Sequence, residues 1–200
     1  MTFPIVFLSV TQLSEKLEDG LLSSLELIEE YLERIRKHDR NLGAFIDVYE
    51  EEARKAASAS DMARASGHII GPLQGIPVAV KDIIDIEGKI TTGGSRVWKD
   101  RRSSLTATLV RRMVEAGMIV LGKTHTVEFA MGSFGTNQHM GSPKNPWDLE
   151  EHRATGGSSA GTAAAVAAGL SPWGIGTDTG GSVRIPSAWC GLTGLKTSVG

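Results

Sequence analysis

The stretch from Ala154 to Gly191, ATGGSSAGTAAAVAAGLSPWGIGTDTGGSVRIPSAWCG, constrains this chain more than any other. It holds two glycine pairs, each followed at once by serine: Gly156-Gly157-Ser158-Ser159 and Gly180-Gly181-Ser182. Paired glycines permit positive φ and let successive amides converge on one point. After the first pair the chain is nearly all alanine from Thr162 to Ala168, the composition of a helix, and Gly169 is placed to end it. A serine turn therefore feeds a helix N-terminus, where free amides and the positive end of the dipole lie. The second pair comes after a short apolar run around Trp173 to Ile175, so two serine-bearing turns can face one another.

The rest of the chain reads as alternating helix and strand. Thr11 precedes an amphipathic segment with Leu13 and Leu17 on one face and Gly20 at its end. Ser23 or Ser24 can cap a longer helix with Leu25, Ile28, Leu32 and Ile35 inward and Glu26, Glu29, Glu30 and Glu33 in water. A third helix, rich in alanine and charge, spans about Glu50 to Ser66. From Gly71 the texture changes. Val78-Ala79-Val80 reads as a buried strand with Lys81 at its end, Thr91 to Ser95 as a loop, and about Thr106 to Glu115 as a helix closed by Gly117. Met118 to Leu121 reads as a second strand, giving a βαβ unit. A short helix from Thr126 to Met131 and a proline-stiffened loop from Ser142 to Asp148 lead to the serine turns. We divide the chain into a helical segment, residues 1–70, packing on a core of residues 71–200, as one domain.

Composition excludes several classes. At 200 residues and 40% hydrophobic content there is one sizeable core, and a formal net charge of -2 gives no bulk attraction for nucleic acid or anionic membrane. A single cysteine, Cys190, allows no internal disulfide and no cysteine-cluster zinc site; we read it as a small buried residue. The five histidines, His38, His68, His125, His139 and His152, show no ligand spacing, so no metal and no cofactor is expected. The apolar opening MTFPIVFLSV lacks a basic region and a cleavage site, and no run approaches a membrane span, so a cytoplasmic protein is expected.

Gly157-Ser158-Ser159-Ala160-Gly161 formally matches G-x-S-x-G with Ser159 as nucleophile, but the polar run Glu150 to Ala154 is no strand, and no histidine follows His152. A phosphate loop would need a lysine that neither serine turn supplies. A serine enzyme with a base other than histidine remains. Lys81 is a candidate base, since apolar neighbours disfavour the ammonium.

Taken together, GIPVAVKD around Lys81, LGKT at Leu121 to Thr124, KNPWDL, GGSSAGTAAAVAAG and GTDTGGSVRIPSAWCGLTGLK resemble the amidase signature family, in order and from about residue 10 onward. The resemblance implies an α/β fold, a three-layer α/β/α sandwich around a mixed twisted sheet. It implies a Ser-cisSer-Lys triad with Ser182 as nucleophile, Ser158 as bridging serine after a cis bond from Gly157, and Lys81 as base. The amides of Thr179, Gly180, Gly181 and Ser182 would form an oxyanion hole, with Gly157, Ser159, Asp178 and Arg184 in support. Family members run well beyond Gly200, so a fold incomplete on its C-terminal side is expected. The implied activity is hydrolysis of a small-molecule carboxamide through an acyl-enzyme, by a homodimer or within a set of partner subunits, with no direct contact to nucleic acid or membrane. The alternative is the A-type subunit of a tRNA-dependent glutamyl/aspartyl amidotransferase, from which Ile185 after Arg184 departs, since glutamine is usual there. An inactive fragment or scaffold is the further alternative.

Overall fold

A computed structural model describes residues 4–198. After a 3-10 turn at Ile5–Phe7 come helices α1 (Val10–Glu18) and α2 (Ser24–Leu42). Ser9 caps α1 in a reciprocal pair with Gln12, so the helix begins ahead of Thr11. Ser23 caps α2 in the same way with Glu26, whose carboxylate accepts from the Ser23 amide at 2.8 Å. Two further α2 amides, Ser24 and Leu25, donate to Asp61 of the next helix, which ties the start of α2 to a distant segment. The buried stripe of α2 is Leu27, Ile28, Tyr31, Leu32 and Ile35; Leu25 is exposed, one position off the expected face.

The N-terminal third is not purely helical. Gly43, at φ 64°, ends α2 in the left-handed region, and Asp39 accepts from the amides of Ala44 and Phe45. The chain then enters strand β1 (Phe45–Val48), which pairs antiparallel with β3 (Ile119–Thr124) across an irregularity at Phe45/Asp47. Residues 1–70 therefore contribute a strand as well as helices. Helix α3 (Glu50–Ala65) comes next, tied to α2 by Arg54, which donates to Glu29 and Glu50.

Strand β2 (Pro77–Lys81), helix α4 (Thr108–Glu115) and β3 form the expected βαβ unit, with β2 and β3 parallel and Lys81 opposite Thr124. Two boundaries differ from expectation. The Thr106 hydroxyl accepts from the Glu87 amide and stays outside α4, and β3 runs on through Gly122, Lys123 and Thr124 because its ladder to β1 and β2 continues. Beyond them lie α5 (Ala160–Ala167), the two-residue strand β4 (Gly174–Ile175), parallel to β2, and α6 (Arg184–Trp189). The mixed sheet has the order β1-β3-β2-β4, and α5 packs on β2, β3 and β4.

The alanines of α5 have a packing cause. Ala160, Ala163, Ala164 and Ala165 are buried, and a Cβ at Gly161 would stand 2.3 Å from the Ala44 carbonyl oxygen. Small side chains let the helix lie close on the strand ends.

The expected helix at Thr126 to Met131 is only a 3-10 turn, Glu128–Ala130. Its amides are drawn outward: Val127 N–H donates to the Ser158 carbonyl and Phe129 N–H to the Gly93 carbonyl. Phe129 and Ala130 take φ of 49° and 58°, a conformation that costs a residue with a side chain about 1–2 kcal/mol.

A Cβ at Gly122 would lie 2.1 Å from the Asp47 carbonyl oxygen. Gly122→Ala is expected to push β1 off β3 and lower stability by about 1–3 kcal/mol, as overpacking does. Denaturant melts of both forms check this, and an unchanged midpoint would contradict it.

Candidate active site

Lys81 ends β2 and is fully buried, with its Nζ 2.7 Å from Ser158 Oγ and 2.8 Å from Thr177 Oγ1. No carboxylate lies within hydrogen-bonding range of this amine among the described residues. Loss of hydration pushes the lysine down to about 7, and the negative charge of Asp178 opposes that fall. Burial thus makes the neutral amine available near neutral pH.

Ser158 is fully buried too. The peptide bond between Gly157 and Ser158 is cis. The Ser158 carbonyl accepts from Val127 N–H and the Thr126 hydroxyl, both at 3.1 Å, and Gly157 N–H donates to the Ser133 carbonyl at 2.7 Å. Gly156, at φ 76°, packs so closely that a Cβ would sit 2.8 Å from Pro186 Cα. The first glycine pair is therefore a close-approach device, wedged between the Val127 turn and α6.

The second serine turn is held by Asp178. Its carboxylate accepts from the amides of Gly181 (2.7 Å), Val183 (3.1 Å) and Arg184 (3.2 Å), and from Arg184 Nε and Nη2, both at 3.0 Å. The Arg184 guanidinium, first, and these amides hold the Asp178 carboxyl far below the usual carboxylate range. This brings Asp178 and Arg184 together as expected but changes the oxyanion-hole expectation at one position. Gly181 N–H is committed to Asp178, so it is not available to a ligand in this arrangement. The amides of Thr179, Gly180 and Ser182 donate to no protein acceptor among the described residues.

The two turns meet. Ser159 N–H donates to the Ser182 carbonyl at 3.1 Å, while Ser159 Oγ lies 3.4 Å from both the amide and the carbonyl of Thr177. Ser159 thus braces the turns from within. Ser182 lines a cavity of about 780 Å³ together with Gly157, Thr177, Thr179 and Gly180, and the Phe129 to Ser133 segment forms its other wall. A second cavity, of about 670 Å³ between α3, α4 and β3, contains none of these residues. Cys190 is buried, donates to the Thr155 carbonyl at 3.4 Å, and has its thiol pushed up to about 12 by burial, which suits a packing role.

Two further partners lie inside the quoted motifs, which assign them no role. Thr177 follows β4, whose Ile175 pairs with Val80, so the register itself carries Thr177 to the end of β2 beside Lys81. Lys123, inside the LGKT segment, is a second fully buried lysine, and its Nζ lies 3.0 Å from Asp82 Oδ1 and 2.9 Å from Thr91 Oγ1. Among the described residues no group of three or more His, Cys, Asp or Glu could hold a metal, and no helix is long and apolar enough to cross a membrane.

The family described as amidase matches residues 26–200, and the chain belongs to the amidase signature family. It is 47% identical over 192 residues to the A subunit of the glutamyl-tRNA(Gln) amidotransferase of Chromohalobacter salexigens, covering 96% of this chain and 39% of that one. Among solved structures, the peptide amidase of Stenotrophomonas maltophilia superimposes with a TM-score of 0.86 at 37% identity, covering 94% of this chain and 39% of the other. The 6-aminohexanoate cyclic dimer hydrolase does so with a TM-score of 0.84 at 34% identity, covering 94% and 37%. The chain spans about two fifths of the length of the curated relatives it matches.

A buried lysine with a depressed pKa costs stability. Unfolded Lys81 binds its proton up to its ordinary pKa near 10.4, whereas the folded form gives it up near 7. The cost is therefore full below pH 7 and fades as pH rises toward 10. Lys81→Met should be more stable than wild type by about 1–3 kcal/mol at pH 7, after allowance for the lost hydrogen bonds, with the gain shrinking at alkaline pH. Melts at pH 6, 7, 8 and 9 check it; a gain that grows with pH would reverse the sign.

Proposed function

We propose that this chain carries the catalytic half of a serine amidohydrolase, in which Ser182 attacks a carboxamide carbonyl and is acylated, with Lys81 as base acting through Ser158. The observation that carries this reading is the 2.7 Å contact between a fully buried lysine, lowered to about 7, and the Ser158 hydroxyl, next to a cavity lined by Gly157, Thr177 and Ser182. Neutral Lys81 takes the Ser158 proton as Ser158 takes that of Ser182, and the same relay then returns a proton to the departing nitrogen. The amides of Thr179, Gly180 and Ser182 serve as donors for the oxyanion. Thr177 keeps the lysine aimed at Ser158.

A second reading is favoured by sequence likeness. Identity is 41–47% to amidotransferase A subunits, against 34–37% to the peptide amidase and the cyclic dimer hydrolase. In that reading the same chemistry releases ammonia from an amide within a complex of several different chains. Both share Ser182, Ser158 and Lys81; ammonia release from an amide panel, measured with and without amidotransferase partner subunits, separates them.

A fluorophosphonate probe on the full-length protein is expected to label the peptide containing Ser182, and Ser182→Ala to abolish labelling. Label on Ser159 would favour the elbow reading instead. Amide cleavage needs the lysine twice, because an amine must be protonated to leave, whereas an activated ester does not. Lys81→Ala should therefore depress amide turnover by about 10²–10⁴-fold and ester turnover much less. Wild-type amide turnover should fall as pH drops through about 7, and that limb should vanish in the variant. Equal losses on both substrates would show that Lys81 only positions the site.

A further inference from the structure

We propose that Lys123, through its ion pair with Asp82, is a positioning residue for Lys81: it holds the end of β2 from the far face of the sheet and balances the carboxylate that adjoins Lys81 in sequence. The proposal rests on the reading of Lys81 as the base. Successive strand residues point to opposite faces. Lys81 reaches Ser158 and Thr177 on one face, while Asp82 reaches Lys123 and Thr92 on the other, where Lys123 also meets Thr91. Both side chains of the pair are 1% exposed.

The pair lies at the centre of a clasp. Asp82 Oδ2 accepts from the amide and the hydroxyl of Thr92, and its main chain donates to the Thr124 carbonyl and accepts from Gly93 N–H. Asp82 Oδ1 accepts from Lys123 Nζ at 3.0 Å, and a buried carboxylate needs a countercharge. Lys123 supplies it. From Gly93 the clasp continues into the site, because the Gly93 carbonyl accepts from Phe129 N–H at 2.7 Å and Val127 N–H, two residues earlier, donates to Ser158.

Charged and titratable groups near the Asp82–Lys123 pair come from several elements. Arg101 and Asp85 pair with each other in the loop after β2, His125 follows β3, and Tyr49 heads α3 near Asp47 and Glu52. On the Lys81 side the facing anion is Asp178, itself held by Arg184, and α5 offers no titratable group. Without the Lys123 charge, an uncompensated carboxylate would stand one residue from the base. It would hold a proton on Lys81 to higher pH.

The test reads Lys81 directly, by NMR titration of the ζ group in protein with isotopically labelled lysine, the signal being assigned by its loss in Lys81→Met. Lys123→Gln keeps a hydrogen-bonding side chain and removes the charge; it should raise the Lys81 midpoint by about one pH unit. At pH 7 that is about a fivefold drop in neutral Lys81, starting from a midpoint of about 7. Lys123→Gln/Asp82→Asn, in which both charges are gone, should return the midpoint to the wild-type value despite two changes in the packing. A purely structural role predicts the opposite order, with the double variant at least as perturbed as the single one. A folded Lys123→Gln protein with an unmoved midpoint, or a double variant shifted as far as the single, would overturn the proposal. Should Lys123→Gln not fold, Asp82→Asn decides: its midpoint should lie at or below wild type, and a rise would sink the idea. Because the readout is not turnover, a failed amide assay would count against the proposed activity and leave this result standing.

Discussion

The burial of one amine governs the arrangement of this molecule. Taking Lys81 out of water disfavours its charge, and the fold accepts that cost only because Ser158 and Thr177 receive the nitrogen at 2.7 and 2.8 Å. Those two hydroxyls come from segments 77 and 96 residues away, so both turns must be delivered to the end of β2 with little tolerance. Much of the C-terminal part can be understood as that delivery. Strand β4 registers against β2 and carries Thr177 forward, while α5 lies close on the sheet and presents Ser158 at its start.

Close approach explains the glycines better than flexibility does. Gly156, Gly157 and Gly161 all sit where a Cβ would collide with main-chain atoms, of Pro186, of Gly132 and Gly135, and of Ala44 and His125. Gly180 is different. It has open space around it, it lines the cavity, and its amide has no acceptor among the described residues, which is the condition for a group that meets a ligand. The same two-glycine pattern thus has two physical meanings in one chain: packing in the first turn, and in the second an open amide at Gly180 beside one at Gly181 that Asp178 holds.

How far the sequence could be read depends on the range of the interactions involved. Local signals sufficed for a serine cap at Ser23 or Ser24, the alanine helix and the β2–α4–β3 unit, because propensity, caps and periodicity act within a few residues. The family motif led to Lys81, Ser158 and Ser182 as candidates. It did not reveal that Asp178 takes the Gly181 amide, since that depends on the path of one turn. Thr126 to Met131 looks helical because its residues tolerate a helix, but the carbonyls of Ser158 and Gly93, remote in sequence, capture its amides. Strand β1 is hidden for a similar reason: four residues carry little periodicity, and only β3 makes them a strand.

The two buried lysines show why residue type alone is a poor guide to role. Lys81 and Lys123 stand on neighbouring parallel strands and are equally shielded from water, yet one meets hydroxyls and the other a carboxylate. For both, burial is the first force on the amine and lowers its proton affinity; for Lys123 the adjacent Asp82 pulls back, through its charge and its hydrogen bond. The anion that opposes burial at Lys81, Asp178, makes no hydrogen bond to it and is engaged instead by Arg184 and three amides. The two amines therefore differ here by the partner across the gap. That partner is set by which face of the sheet each side chain occupies.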